Sequence, residues 1–132
     1  MLDTIIAVDI SGRHFEDDQY FMVCAAVALS HSEGTVRGIK GIYIIPYSSS
    51  KPPEITDVVR MIEETAEGTG FEGVVVAERG DMFNQPENVV KQMFRLDFKY
   101  PESMIEMMGI EFAHHVSLSS RNLILKQEVR QK

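Results

Sequence analysis

Thr4-Ile5-Ile6-Ala7-Val8-Asp9-Ile10-Ser11-Gly12 is the stretch whose reading decides the fold. Ile5 to Val8 are apolar without alternation. A strand with one wet face alternates, and a strand covered on both faces does not. The segment is therefore expected in the middle of a sheet, ending in a turn that Gly12 permits. Asp9 directly follows four residues expected to be buried, which places its carboxylate at a central strand end. One other segment has the same character: Val74-Val75-Val76-Ala77 is short, β-branched and followed by Glu78.

The remaining elements are read outward from these two. Tyr20 to Leu29 is an apolar run with strand character, close enough to the first strand for an antiparallel hairpin. Ser30 to Lys40 reads as a polar loop. Gly41 to Tyr47 reads as a third strand, with Pro46 suiting an edge. Pro53 to Glu67 is the clearest helix: Ile55, Val58, Val59, Ile62 and Ala66 recur at helical spacing, with prolines before and Gly68 and Gly70 after. A helix before Val74–Ala77 favours a parallel crossover. Pro86 to Gln92 reads as a short helix.

Met93 to Tyr100 alternates, with Phe94, Leu96, Phe98 and Tyr100 on one face and Arg95, Asp97 and Lys99 on the other. That predicts a strand with one solvated face. Ser103 and Glu106 have capping-box spacing at the start of a last helix. Its apolar stripe is read as Ile105, Met108, Phe112, Val116, Ser119 and Leu123, with Gly109 costing about 1 kcal/mol relative to Ala.

A chain of 132 residues with 44% apolar and 25% charged residues is one globular domain, 1–132. Its longest apolar run, Tyr20 to Leu29, falls short of the roughly 18 residues of a membrane span. Met1-Leu2-Asp3-Thr4 carries no basic segment of a secretory signal, and the lone Cys24 has no disulfide partner within the chain; a reducing, cytoplasmic setting is expected. The net charge of -7 comes from residues 1–82, where acids dominate. Such a chain repels phosphate backbones, so a nucleic-acid partner is disfavoured unless a bound divalent cation reverses the local sign. Met104 and Met107, off the stripe, suit a packing surface for a second copy or a protein partner.

The order β-β-β-α-β-α-β-α resembles the ribonuclease H-like superfamily. It also resembles an uncharacterised archaeal family of that fold, known as a domain of unknown function. The opening Ile6-Ala7-Val8-Asp9-Ile10-Ser11-Gly12 looks like the superfamily's first-strand signature, and Val75-Val76-Ala77-Glu78 is similar to the fourth-strand acid of its Holliday-junction resolvases. The resemblance implies an α/β fold with a mixed five-stranded sheet in the order 3-2-1-4-5 and carboxylates at adjacent ends of the two central strands. It also implies a divalent-metal-dependent nuclease using Mg²⁺ or Mn²⁺, with Asp9 and Glu78 catalytic. The chain departs from the pattern on the last helix, which carries Glu102, Glu106, Glu111, His114 and His115 but no Asp-x-x-Asp.

Convergent carboxylates bind hard divalent cations through oxygen. The candidate ligands are Asp9, Glu78, Asp81, and the i, i+4 pair Glu111 and His115. Each has a plainer reading: a turn residue for Asp9 and Asp81, a rim ion pair with Arg13 or Arg79 for Glu78, a Glu–His contact at the helix margin for the last two. His114 is read as exposed. Glu63 is the acid nearest the stripe of the first long helix and the only one there considered for the site. Cys24 reads as an inert core thiol, His14 and His31 as loop residues, and Arg79-Gly80-Asp81 as no adhesion motif. The function alternatives are a non-catalytic interaction module on the same scaffold and, more distantly, a fragment of an actin-like ATPase, because Val8–Gly12 resembles a phosphate loop.

Overall fold

The computed structural model describes residues 2–13, 15–16 and 18–131. His14 lies outside them. β1 (Asp3–Ser11) is buried from Ile5 to Ser11 and stands in the middle of a mixed sheet. It pairs antiparallel with β3 (Gln19–Ser32), Asp9 opposite Ala25, and parallel with β5 (Val74–Val76), Ile6 opposite Val75. β4 (Thr35–Ser49) adds to the outer side of β3, and β6 (Phe98–Lys99) runs parallel to β5. The tiny β2 (Phe15–Glu16) pairs with the start of β3. Leaving β2 aside, the order is β4-β3-β1-β5-β6, the expected 3-2-1-4-5 arrangement of five strands.

Two layers of helix cover the sheet. α1 (Ile55–Gly68) packs on one face over Ile6, Val8, Cys24 and Val75, beside the short α2 (Glu87–Lys91). α3 (Met104–Gln131) packs on the other over Ile5, Ala7, Val27 and Leu29. No helix among the described residues is long and apolar enough to cross a membrane.

Three local expectations are corrected. Residues 30–40 are not a loop. β3 and β4 run on through them and join at a two-residue turn, Glu33-Gly34, with both φ angles positive. That geometry matches the twist of a hairpin. The polar residues misread as loop lie on strands, where Ser30 Oγ–H donates to the Gly38 carbonyl and Arg37 Nε–H to Ser32 Oγ. His31 accordingly sits on a strand.

The segment 93–100 has most of the expected burial, with Phe94, Phe98 and Tyr100 inside, Arg95 and Asp97 outside and Leu96 and Lys99 half-buried, yet only Phe98–Lys99 is strand. The amides of Arg95 and Leu96 donate to Glu63 Oε2 at 2.8 and 3.1 Å, so a side chain of α1 replaces the ladder there. Glu63 is therefore a buried structural acid rather than part of the helix's solvated face.

The last helix turns a different face to the sheet. Its buried positions include Ile105, Gly109, Ala113, Ser117 and Arg121, spaced by four, with Glu106 and Ile110 beside them, whereas Met108, Phe112 and Leu123 are exposed. Gly109 explains the choice. A Cβ there would stand 3.0 Å from Ala7 Cβ, 3.2 Å from Leu29 Cδ1 and 3.3 Å from Ile5 Cδ1. At this point the helix comes so close to the sheet that a larger side chain would press on both strands. The capping box that opens it is present: Ser103 N–H donates to Glu106 Oε1 at 2.9 Å, and Glu106 N–H to Ser103 Oγ at 3.2 Å.

Gly109→Ala should therefore destabilise the protein although Ala is the better helix former by about 1 kcal/mol, because the nearest atom belongs to a central strand that cannot retreat. Gly109→Val should cost more, about 1–3 kcal/mol beyond that of Ala, as overpacking does. Urea midpoints of the three proteins test the order Gly, Ala, Val; an Ala variant more stable than Gly would show that the contact is slack.

Candidate functional site

At the C-terminal ends of β1 and β5 the sheet places several polar groups together. Asp9 is the last-but-two residue of β1, and its side chain is only 6% exposed. Leaving a carboxylate so dry is costly unless donors meet it. Ser117 Oγ–H, from the buried face of α3, donates to Asp9 Oδ2 at 2.9 Å. His114, one turn earlier, brings Nδ1 to the same oxygen at 3.2 Å. With Asp9 ionised, that nitrogen carries the proton. Ser11 Oγ lies 2.6 Å from Ser117 Oγ and completes a chain of hydroxyls leading to the carboxylate. Burial raises the Asp9 pKa above its ordinary value, and the bonds from Ser117 and His114 offset part of that rise.

Asp81 is the second acid at this end of the sheet and is partly buried. It lies in a 3₁₀ turn, Arg79–Met82, just after β5. Its side chain is 14% exposed, and Oδ2 is buried without a hydrogen-bond partner among the described residues. Arg13, from the loop after β1, donates to the Asp81 carbonyl at 3.0 Å and stands 3.5 Å from Oδ1. The same guanidinium lies 4.6 Å from the centre of the Phe83 ring, whose backbone is left-handed at φ 56°. Burial, then the negative charge of Asp9, push the Asp81 pKa up to about 7, against the opposing pull of Arg13; Glu78 adds to the rise.

The candidates from sequence thus separate. Asp9 is buried, Asp81 is partly so, and the charge of Asp9 raises the Asp81 pKa. Glu78 stands at the strand end but is exposed, acting on Asp81 through its charge. Glu111 and His115 form an exposed pair at 3.9 Å, one turn apart, and Glu111 reaches Asp9 through charge alone. Among the described residues no group of three or more His, Cys, Asp or Glu side chains is arranged to hold a metal ion. The side chains that touch Asp9 are His114, exposed as its sequence position suggests, and Ser117, which no sequence signal of chemistry marks. The small-residue spacing Gly109, Ala113, Ser117 was the signal that finds it. Cys24 is buried, its thiol pushed up to about 12 by desolvation, consistent with an inert core role.

Gly12 holds the loop beyond Asp9 in place. Its φ is +93°, and a Cβ would run into the Arg121 side chain and the Phe21 carbonyl. Arg121, buried on α3, donates to that carbonyl at 3.0 Å, so helix and loop close the site on this side. A separate cleft of about 700 Å³ lies at the other end of the sheet, lined by Glu67, Phe71, Val74, Arg95 and Asp97. It is remote from the buried acids, and its Arg95 is already paired with Glu67 at 2.6 Å.

Residues 6–125 match the family described as an uncharacterized protein conserved in archaea (DUF2209). A relative from Methanocaldococcus jannaschii, "Uncharacterized protein MJ0095", is 28% identical over 124 residues, covering 93% of this chain and 98% of its own. No solved structure matches.

The Asp81 titration has a definite sign. Below its ordinary 3.8, folded and unfolded chains both carry the proton and there is no penalty. Between 3.8 and about 7 the unfolded chain ionises first, so stability falls as pH rises, and above about 7 the loss is complete. Asp81→Asn should remove most of that slope and be the more stable protein at mildly alkaline pH. Urea unfolding across this range measures it; parallel curves for the two proteins would mean Asp81 ionises normally.

Proposed function

We propose, for a chain that belongs to the archaeal family DUF2209, a divalent-metal-dependent phosphodiester hydrolase acting on nucleic acid, on a ribonuclease H-like scaffold. The observation that carries the reading is the Oδ2 of Asp81, buried without a partner among the described residues in the turn after β5 and acted on by the charge of Asp9. Two carboxylates forced together in a dry place repel, and a cation is the partner that turns this repulsion into attraction. The donors are hard oxygens, which suit Mg²⁺ or Mn²⁺. Asp9 and Asp81 would hold the cation, with Glu78 at the rim.

Bound there, the cation would supply a Lewis acid and an activated water for attack at phosphorus. The chain's own groups do the rest. Ser117 fixes the Asp9 carboxylate, which keeps one oxygen bonded and the geometry rigid. His114, its side chain 49% exposed, spans from that carboxylate to solvent and is placed to hold or release a proton at the mouth of the site. Arg13 neutralises part of the acid charge and is the group a cation must compete with. The strand order and the two strand-end acids support the superfamily resemblance, and the free buried thiol of Cys24 suits a reducing cytoplasm.

Mn²⁺ or Mg²⁺ should raise the melting temperature in proportion to the logarithm of its concentration once the site saturates, because only the folded chain binds it. Asp9→Asn and Asp81→Asn should each abolish the shift. The wild-type protein should cleave a branched or RNA–DNA hybrid substrate in Mg²⁺, and Asp9→Asn should not. A shift without cleavage of either substrate would overturn the nuclease and leave a metal-binding module; no shift with either cation would overturn the site itself.

A further inference from the structure

The α3 side of the sheet is covered unevenly. α3 lies over β1 and β3, and one flank of it reaches toward β5 and β6 through Glu106, whose carboxylate meets Lys99 Nζ at 2.9 Å. The opposite flank looks toward β4. There Met108, Phe112 and Leu123 form an exposed row at helical spacing. Alongside runs a second exposed row on β4. Ile39, Ile42 and Ile44 stand opposite Leu29, Val27 and Ala25 of β3, so they point to the same side of the sheet as the residues that α3 covers. A register shift between Ala28 and Leu29, where Lys40 is left over, keeps Ile39 and Ile42 on one face although they are three residues apart.

These six side chains are 38% to 62% exposed. They leave roughly 500 Å² of apolar surface bare, at the upper end for the largest patch of a typical monomer. Doubled across a twofold axis it reaches about 1,000 Å², the size at which an interface is specific rather than incidental.

We infer that this face is a homodimer interface in which α3 of each copy lies over the bare β4 of the other. Each chain offers both halves of the contact side by side: a sheet row that lacks a helix, and a helix row that lacks a sheet. Only a second copy is obliged to present the complementary pair, and a twofold rotation satisfies both rows at once. Neither row contains a carboxylate, so two chains of net charge -7 meet where neither is charged. Docking is through the face and not by strand addition at the edge. The outer edge of β4 is broken by the register shifts that leave out Arg37 and Lys40, and by Pro46, which lacks an N–H to donate.

Sedimentation equilibrium of the full chain, over a wide concentration range, tests the inference. The wild-type protein should have twice the 14.9 kDa mass of one chain. Ile42→Glu and Phe112→Glu should each return the single-chain mass with unchanged circular dichroism. Met107→Glu, exposed but on the flank of the helix away from the Met108 and Phe112 row, should leave the dimer intact. A wild-type chain that is monomeric at every concentration would overturn the proposal. So would a dimer that survives both row variants, or one that Met107→Glu dissolves equally. None of these outcomes depends on metal, so the interface and the carboxylate site fail or stand separately.

Discussion

The distance between α3 and the sheet governs most of what this molecule presents. At Gly109 the helix lies so near β1 and β3 that a single methyl group would touch Ala7, Leu29 and Ile5. Close approach rewards dispersion contacts over the whole interface, and at this point a larger side chain would press on both strands. The rotation of the helix about its axis is thereby fixed. With Gly109 and Ala113 inward, Ser117 must also be inward, because four residues are close to one turn. Ser117 then meets Asp9, and His114 comes to the same carboxylate from the margin. The large apolar residues are turned outward by the same rotation. Site and exposed patch are two results of one packing constraint.

Much of this was legible in the residues, and the failures have physical causes. The continuous apolar runs at Ile5–Val8 and Val74–Ala77 mark strands buried on both faces whatever the rest does, and they fixed the centre of the sheet. α1 and the capping box at Ser103 and Glu106 were equally plain, since both rest on local spacing. The rotation of α3 was not legible from hydrophobicity, because that helix has two apolar faces: one of large side chains and one of small. Ranking by size favours Met108 and Phe112; packing favours Gly109 and Ala113. The Glu33-Gly34 turn was hidden because strands that project past the layers covering them can afford polar residues. The alternation of 93–100 correctly gave most of the burial, but no periodicity reports that Glu63, some thirty residues earlier, takes the amides of Arg95 and Leu96.

The candidate site shows how a fold can hold charge in dry surroundings. Asp9 is met by two donors, whereas Asp81 has one guanidinium and, among the described residues, an oxygen with no donor. The difference follows from where their partners originate. Asp9 faces a long, rigid helix that presents Ser117 and His114 one turn apart. Asp81 sits in a 3₁₀ turn and relies on Arg13 from a loop. Buried polar groups in a stable domain are normally satisfied, and among the described residues the imbalance at Asp81 is confined to one oxygen in the turn after β5.

The β3–β4 hairpin also bears on how the chain assembles. Its strands are joined by two residues, so their pairing closes a very short loop. The parallel pairing of β1 with β5 joins Ile6 to Val75 and must wait for the whole intervening chain, α1 included, to be gathered in. Entropy of closure rises with the length enclosed, and hairpins form in about 1–10 μs. The hairpin is thus the early scaffold. The central strand joins it across a connection that is also short, Ser11 standing opposite Val23, and β5 is the late arrival that completes the cover of the central strand.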